Sequence, residues 1–300
     1  MTNLGIWWAV ASGIGFGLFS VNNRRVVRHI DVYIGAFILF TVTALTLGTI
    51  ALITEEWAIW QQLSPSAIFY FGLAGAFHFF FGWTFFIISQ KRVGAARTSV
   101  IMSTMPLFAT IIGWLFLGEI LTTLAFIGIG LIVLGVYIVA RDNVQAAQSS
   151  IETGWQSYVY ALGTAICFAI SPLFIRYGLD IVPSPMIGST VGMGVCVIGY
   201  IGLLTVQGGW RDTPRWVKTQ TMLTWQLTGG VVAGLATGAR WIALETVQIA
   251  PVVALSRLSV PIILFLSPIV VGQQHEQVTM RIWMGAIAIL GGSLLLIFYA

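Results

Sequence analysis

The sequence predicts an all-α integral membrane protein: ten transmembrane helices forming two inverted five-helix repeats around a central cavity. Three observations carry this. Of the 300 residues, 58% are hydrophobic and 8% charged, where a soluble domain carries about 25% charge, and mean hydropathy is +0.93. Ten apolar runs each reach roughly the 17–25 residues needed to cross a bilayer core. Short motifs recur at a near-constant offset, and the basic loops change sides between the two copies.

The runs are Leu4–Asn22, Val32–Ile53, Ala67–Ser89, Ala95–Leu117, Leu121–Ala140, Trp155–Arg176, Met186–Val206, Trp225–Thr246, Pro251–Val271 and Thr279–Tyr299. The first lacks a basic leader and a small-residue cleavage site, so it is expected to be a retained helix. The runs are too long, and alternate too little, for barrel strands. The fourth and fifth are parted only by Gly118-Glu119, which predicts a tight hairpin. Cys167 and Cys196 both fall in apolar runs, with neither disulfide nor metal spacing. Most tryptophans sit near run ends, as interfacial residues do, while Trp83, Trp114 and Trp241 lie deeper. Gly230, Gly234 and Gly238 form a row that serves close helix packing or leaves room for a substrate.

Phe16-x-x-x-Ser20…Arg24 matches Phe168-x-x-x-Pro172…Arg176 at an offset of 152. Gly94-Ala95-Ala96…Pro106-Leu107-Phe108 matches Ile249-Ala250-Pro251…Pro261-Ile262-Ile263 at an offset of 155. One repeat is therefore expected over 1–145 and the other over 146–300. Five helices per copy is odd, so the second copy enters the membrane inverted. The charges agree. Glu55 and Glu56 follow the second run, whereas Arg211, Arg215 and Lys218 follow the seventh; Lys91 and Arg92 follow the third, and no basic residue follows the eighth. The loops after odd-numbered runs hold nearly all the basic residues, which places them in the cytoplasm and both termini outside.

Ionisable groups inside spans are costly and are functional candidates by default. His78 shares a helical face with Gly75, Gly82 and Phe85, as a packing residue or a functional one. Arg240 and Arg257 flank the loop between the eighth and ninth runs, each roughly 10–12 Å deep at 1.5 Å per residue. Two cations at one depth repel unless something negative lies between them. Glu245 is badly placed around the helix to pair with Arg240. A structural Arg–Glu–Arg network and an anion or carboxylate site both remain open. Glu119 is expected to be a hairpin or helix-end residue. Pro106 and Pro261 interrupt matching runs and Pro172 interrupts the sixth; each frees a backbone carbonyl and bends its helix, for packing or at a cavity. No Walker sequence, dinucleotide fingerprint, zinc helix or catalytic triad pattern occurs. His275-Glu276 lacks a second histidine, and His29 lies in a loop.

Gly94-Ala95-Ala96, Pro106-Leu107-Phe108 and Leu117-Gly118-Glu119-Ile120-Leu121-Thr122 resemble the drug/metabolite transporter superfamily, EamA type. The resemblance covers essentially the whole chain. The second copy departs from it, with Gln273-Gln274 where Gly-Glu would stand, so Glu119 has no symmetric partner. The resemblance implies a monomer or loose oligomer whose cavity is lined by spans 1, 3, 4, 6, 8 and 9, with 5 and 10 peripheral. It implies export of amino acids and other small metabolites, or exchange of sugar phosphates and nucleotide sugars. Many members are drawn with cytoplasmic termini; the charges here argue the reverse.

The expected function is a multi-pass secondary transporter of the cytoplasmic (inner) membrane, exporting small polar carboxylate-bearing metabolites by alternating access. The partners are a small-molecule substrate, the lipid bilayer and a proton or counter-substrate, with no cofactor, metal or nucleic acid. Arg240 and Arg257 would hold the carboxylate, Glu245 an amine or a proton, and Trp83 and Trp241 the side chain, with His78 in proton coupling. The main alternative is an exporter of cationic or lipophilic drugs, which would use Trp83, Trp241 and Glu245 and not the arginines. An integral-membrane enzyme would need a polar catalytic cluster, and a membrane scaffold would need none.

Overall fold

A bilayer core offers no water to backbone amides and carbonyls, and a helix satisfies them within one segment. All regular structure among the described residues is helical. The computed structural model describes residues 3–26, 31–93, 95–146, 155–209, 220–271 and 280–299. In chain order the elements are α1 (Asn3–Val26), α2 (Val32–Thr54), a helical turn Trp57–Trp60, and α3, which runs Pro65–Gly75, a π-helical turn Ala76–Gly82, then Trp83–Val93. α4 has two halves, Ala95–Met102 and Met105–Leu117; α5 is Thr123–Ala146, α6 Trp155–Leu179, α7 Pro185–Val206 and α8 Gln220–Thr246. α9 runs Ile249–Leu255, a 3₁₀ turn Ser256–Leu258, then Ser259–Val271, and α10 is Met280–Tyr299. Short polar side chains start several helices, as caps should. Asp31 accepts from the Tyr33 amide (2.9 Å), Ser64 from Ala67 (3.3 Å), Thr122 from Ala125 (3.1 Å) and Ser184 from Ile187 (3.2 Å).

Among the described residues, seven helices are long and apolar enough to cross a membrane: those of α1, α2, α3, α6, α7, α8 and α9. Helices occupy all ten of the expected runs, and seven of them reach full span length among the described residues. α4 breaks at Ser103-Thr104, so its apolar helix is only Met105–Leu117. The other two shorter apolar stretches are Thr123–Val139 and Trp283–Tyr299. Arg141 and Asp142 end the apolar part of α5, and residues 272–279, before α10, lie outside the described set. So do Gly94, the basic loop residues Arg211, Arg215 and Lys218, and Gln273, Gln274, His275, Glu276, His29, Trp210 and Trp216. Large apolar side chains stand exposed on outer faces, among them Leu52, Trp114, Ile198 and Phe298. This is a surface suited to lipid. Cys167 and Cys196 are buried and free.

The neighbour pattern has an exchange symmetry. α1 packs on α8 as α6 packs on α3; α2 packs on α8 as α7 packs on α3; α1 packs on α9 as α6 packs on α4. α2 with α7, and α5 with α10, pair with each other. The last pair shows the pattern at residue level. A Cβ on Gly128 would meet the Gly292 carbonyl at 2.9 Å, and one on Gly292 would meet Gly128 at 2.5 Å. Gly135 and Gly285 make the same reciprocal approach, at 2.5 and 2.7 Å. Moving up α5 from Gly128 to Gly135 therefore moves down α10 from Gly292 to Gly285, so the two helices are antiparallel. Backbones this close leave no room for side chains, and dispersion holds the seam.

The two ends of the bundle carry different groups. Lys91 lies over the Tyr33 ring (5.0 Å) and Arg92 over Tyr160 (4.7 Å), which gathers the C-terminus of α3 with the starts of α2 and α6. At the other end the C-termini of α2, α6 and α8 meet the α4–α5 connection. Ser184 donates to Glu55 (2.6 Å), Arg176 reaches the end of α8, and Glu119 reaches the start of α9.

The seam can be tested directly. Gly135→Val drives a side chain into the Gly285 carbonyl and Ile289, an overpacking that costs about 1–3 kcal/mol. Gly130→Val, whose Cβ meets nothing within 4 Å, is the control. Thermal unfolding in detergent should fall for Gly135→Val and stay near the parent for Gly130→Val.

Candidate functional site

The two broken helices organise the interior. The second half of α4, Met105–Leu117, and that of α9, Ser259–Val271, stand 154 residues apart at both ends. Each break falls just before a proline, Pro106 or Pro261, whose missing amide and bulky ring disfavour an uninterrupted helix. Sequence matching located these breaks. Arg257 lies in the 3₁₀ turn of α9, and its Nη2 reaches Met105 Sδ, at the break of α4, at 3.0 Å. The two interruptions therefore touch through a guanidinium and a thioether, which is only a weak acceptor.

The third participant comes from the π-helical turn of α3. Such turns are rare and recur at functional positions. This one carries His78, which is 9% exposed. Its ring stacks on Phe168 of α6, with centroids 4.4 Å apart and planes at 19°. Pro172 in α6 removes the amide that would bond the Phe168 carbonyl, loosening that helix one turn beyond the stack. Gly82 completes the fit, because a Cβ there would meet the Phe168 ring at 2.5 Å. Phe168 was visible in the sequence as the repeat partner of Phe16, but nothing there tied it to His78.

Arg240 of α8 closes the group. Only 5% exposed, it has its Nη1 3.3 Å from His78 Nε2. A guanidinium only donates, so His78 Nε2 accepts and the imidazole proton is assigned to Nδ1. Nδ1 has no partner, nor do Arg240 Nε and Nη2 or Arg257 Nε. Arg240 and Arg257 are close enough to interact electrostatically. No described carboxylate pairs with either. Buried polar groups are normally satisfied, so four unpartnered nitrogens around two cations leave an arrangement able to receive an anion.

The remaining expected site residues lie apart from this group. Glu245 is exposed near the end of α8, within electrostatic reach of the like-charged Glu55 and not between the arginines. Trp241 is 1% exposed and packed on Phe71 (5.7 Å), a core position. Trp83 is half-buried in an aromatic cluster with Phe40 (5.7 Å), Phe86 (5.5 Å) and Phe19 (6.4 Å). Sequence reasoning singled out His78, Arg240 and Arg257, but not Met105.

Two charged residues hold the turn between α8 and α9. Arg176 Nη1 donates to the carbonyls of Leu244 (2.7 Å), Glu245 (3.2 Å) and Val247 (3.4 Å), as a cation should at a helix C-terminus. The Glu119 carboxylate accepts the Ile249 amide on both oxygens (2.9 and 3.0 Å), at the N-terminus of α9. Burial pushes the Glu119 carboxyl up, while the Ile249 amide and the Arg176 charge act against that rise. Gly118, at φ 63°, makes the turn that aims Glu119 this way. Thr122 caps α5 and donates to the Tyr299 carbonyl at 2.8 Å. The Leu-Gly-Glu-Ile-Leu-Thr run is thus a fastening between the two halves of the chain. Glu119 is the expected helix-end residue, though the helix it caps is one 130 positions away in sequence.

A sequence-family model described as EamA-like transporter family matches residues 3–141. Over this stretch, a little under half of the chain, the sequence is similar to the EamA-like transporter family. The EamA-like match takes in α1 to α4 and ends within α5. A relative from Archaeoglobus fulgidus, described as an uncharacterized transporter, is 33% identical over 77 residues, 26% of this chain and 27% of that protein. The chain thus matches about a quarter of the length of that curated relative. A solved structure, described only as the crystal structure of a protein, aligns at a TM-score of 0.74 over 98% of this chain and 96% of its own, at 13% identity. At that identity the likeness concerns the fold.

The clasp yields a prediction. A hydrogen bond to a charged group contributes about 1.5–3 kcal/mol. Glu119→Ala should lower thermal stability in detergent by that order, and Glu119→Gln, which keeps one amide acceptor, by less. Equal stability of parent and Glu119→Ala would leave the clasp without an energetic role.

Proposed function

We propose that the chain is a secondary transporter of small polar, carboxylate-bearing metabolites, working by alternating access. The observation that carries this reading is the Arg240–His78–Arg257 group. It joins two buried or partly buried cations and four unpartnered nitrogens at the level where two helices are interrupted. Interrupted helices facing each other near the middle of a bundle are how transporters expose polar groups without exposing backbone to lipid. The exchange symmetry of the packing supports two inverted five-helix units, 1–145 and 146–300, that rock about this level. With no acidic partner among the described residues, a substrate carboxylate is the group that would satisfy the arginines, and His78 would accept or release a proton as the site opens. Amino acids are the first substrates to test, with export across a cytoplasmic membrane as the direction.

A second reading, export of cationic or lipophilic drugs, draws on the aromatic cluster of Trp83, Phe19, Phe40 and Phe86. Reconstitution separates the two. Proteoliposomes are loaded with labelled carboxylates or with a lipophilic cation, with and without a pH gradient. Arg240→Ala and Arg257→Ala should weaken carboxylate transport by roughly ten- to a hundred-fold, the equivalent of one lost charged hydrogen bond. Lysine should restore little, because an ammonium lacks the planar fork. Cation transport that is unaffected by either arginine, with no carboxylate transport, would favour the drug reading.

The orientation has its own test. Basic residues concentrated in the odd-numbered loops put those loops in the cytoplasm and both termini outside. Single cysteines at Gln62 and Gln145, probed with an impermeant thiol reagent in intact cells, should label at 62 and not at 145. The opposite pattern reverses the orientation.

A further inference from the structure

We propose that the occupant of the Arg240–His78–Arg257 site is a small organic dianion and not a zwitterion. The proposal rests on the transporter reading in taking this group as the substrate site, and it narrows carboxylate-bearing metabolites by charge, setting dianions in place of the zwitterionic amino acids. His78 accepts from Arg240, which is the role of a neutral imidazole, so the protein's charge at the site is that of two guanidiniums. Glu245 is the sole acidic residue that the sequence places inside an apolar run, and it stands exposed beside Glu55. No described carboxylate stands between the arginines to receive an ammonium group. A zwitterion would carry its ammonium next to two cations in low dielectric, where like charges repel strongly. A monoanion would leave one guanidinium uncompensated, and an uncompensated buried charge is the costly case.

The donors fit two negative charges. Arg240 presents Nε and Nη2 from α8, and Arg257 presents Nε from the break of α9 while its Nη2 rests on a weak sulfur acceptor. These edges belong to different helices, so each can take one carboxylate of a dicarboxylate or one face of a phosphate monoester. The Nδ1–H of His78 is a further donor. Both ligand types share the same chemistry, and they differ in whether the charges sit on two groups or one.

The test uses the full chain in detergent at pH 7.5 and constant ionic strength, following thermal unfolding against five probes: succinate, its monoamide succinamate, methyl phosphate, alanine and chloride. A ligand that binds the folded state raises the midpoint with concentration. Succinate or methyl phosphate should half-saturate at about ten-fold lower concentration than succinamate, one charged hydrogen bond being worth at least that factor. Alanine should give no saturating shift. Which dianion is tighter reports whether the two charges sit on one group or two. Arg257→Gln should bring the preferred dianion down to the affinity of the monoanion; if that variant does not fold, the probe series on the parent chain still decides. Succinamate or alanine binding as tightly as both dianions, chloride binding as tightly (an adventitious ion only), or no dianion binding at all overturns the proposal. Transport is read separately. Amino-acid uptake by proteoliposomes without dianion binding overturns the dianion and keeps the transporter. Dianion binding with no transport of any probe overturns the transporter and keeps the site.

Discussion

Two guanidinium groups inside an apolar helical bundle, with no described carboxylate paired with either, set the terms for the surrounding structure. Moving a cation into such an interior costs several kcal/mol even after relaxation. The bundle meets that cost only in part: one imidazole nitrogen for Arg240 and one thioether for Arg257. Each of these weak partners sits on a departure from regular helix. His78 is on the π-helical turn, Met105 at the break of α4, and Arg257 itself within a 3₁₀ turn. Irregular backbone inside a membrane protein is tolerated where it lines a polar interior, and here the irregular segments meet at the charges.

The contrast between frame and contents is physical. The frame obeys an exchange of the two chain halves: matched breaks 154 residues apart, matched helix neighbours, and reciprocal glycines on α5 and α10. The charges do not. Arg257 stands where the first half has Ser103, and Arg240 and His78 face each other from α8 and α3 although the positions matching them at the same 154-residue offset are Phe86 and Val232. In the alternating-access reading proposed above, a symmetric frame would supply two conformations of similar shape, and asymmetric contents would let a ligand tell them apart. A ligand shifts such an equilibrium only through its differential affinity for the two states.

Much of the frame was legible because it follows from local chemistry. Pro106 and Pro261 disfavour an uninterrupted helix on their N-terminal side, and apolar run length marks spans. Run length did not show the break in α4, since a run does not reveal that regular helical bonding gives way to a turn at Ser103-Thr104. Arg240, Arg257 and His78 could be singled out one at a time, because each is costly in its run. Their grouping was only half legible: similar depth suggested that the arginines meet, but neither Met105 nor the stack on Phe168 has a local signature. Glu245 shows the opposite failure. A charge near the end of an apolar run looks interior by position alone, and the side chain in fact escapes to the rim. Glu119 was recognisable as a helix-end residue, while its partner at Ile249 depends on how distant segments fold together.

The glycine seam between α5 and α10 carries one more consequence. Gly128 and Gly135 on one helix, and Gly285 and Gly292 on the other, have the same seven-residue spacing, so each helix offers its partner the surface that it receives. A self-complementary surface does not require that its two faces lie on one polypeptide. Cut between α5 and α6, the chain would yield two five-helix fragments whose peripheral helices still fit each other head to tail. The peptide link then sets stoichiometry, guaranteeing one copy of each fragment per assembly. It thereby keeps Arg240 and Arg257 of the second fragment beside His78 and Met105 of the first.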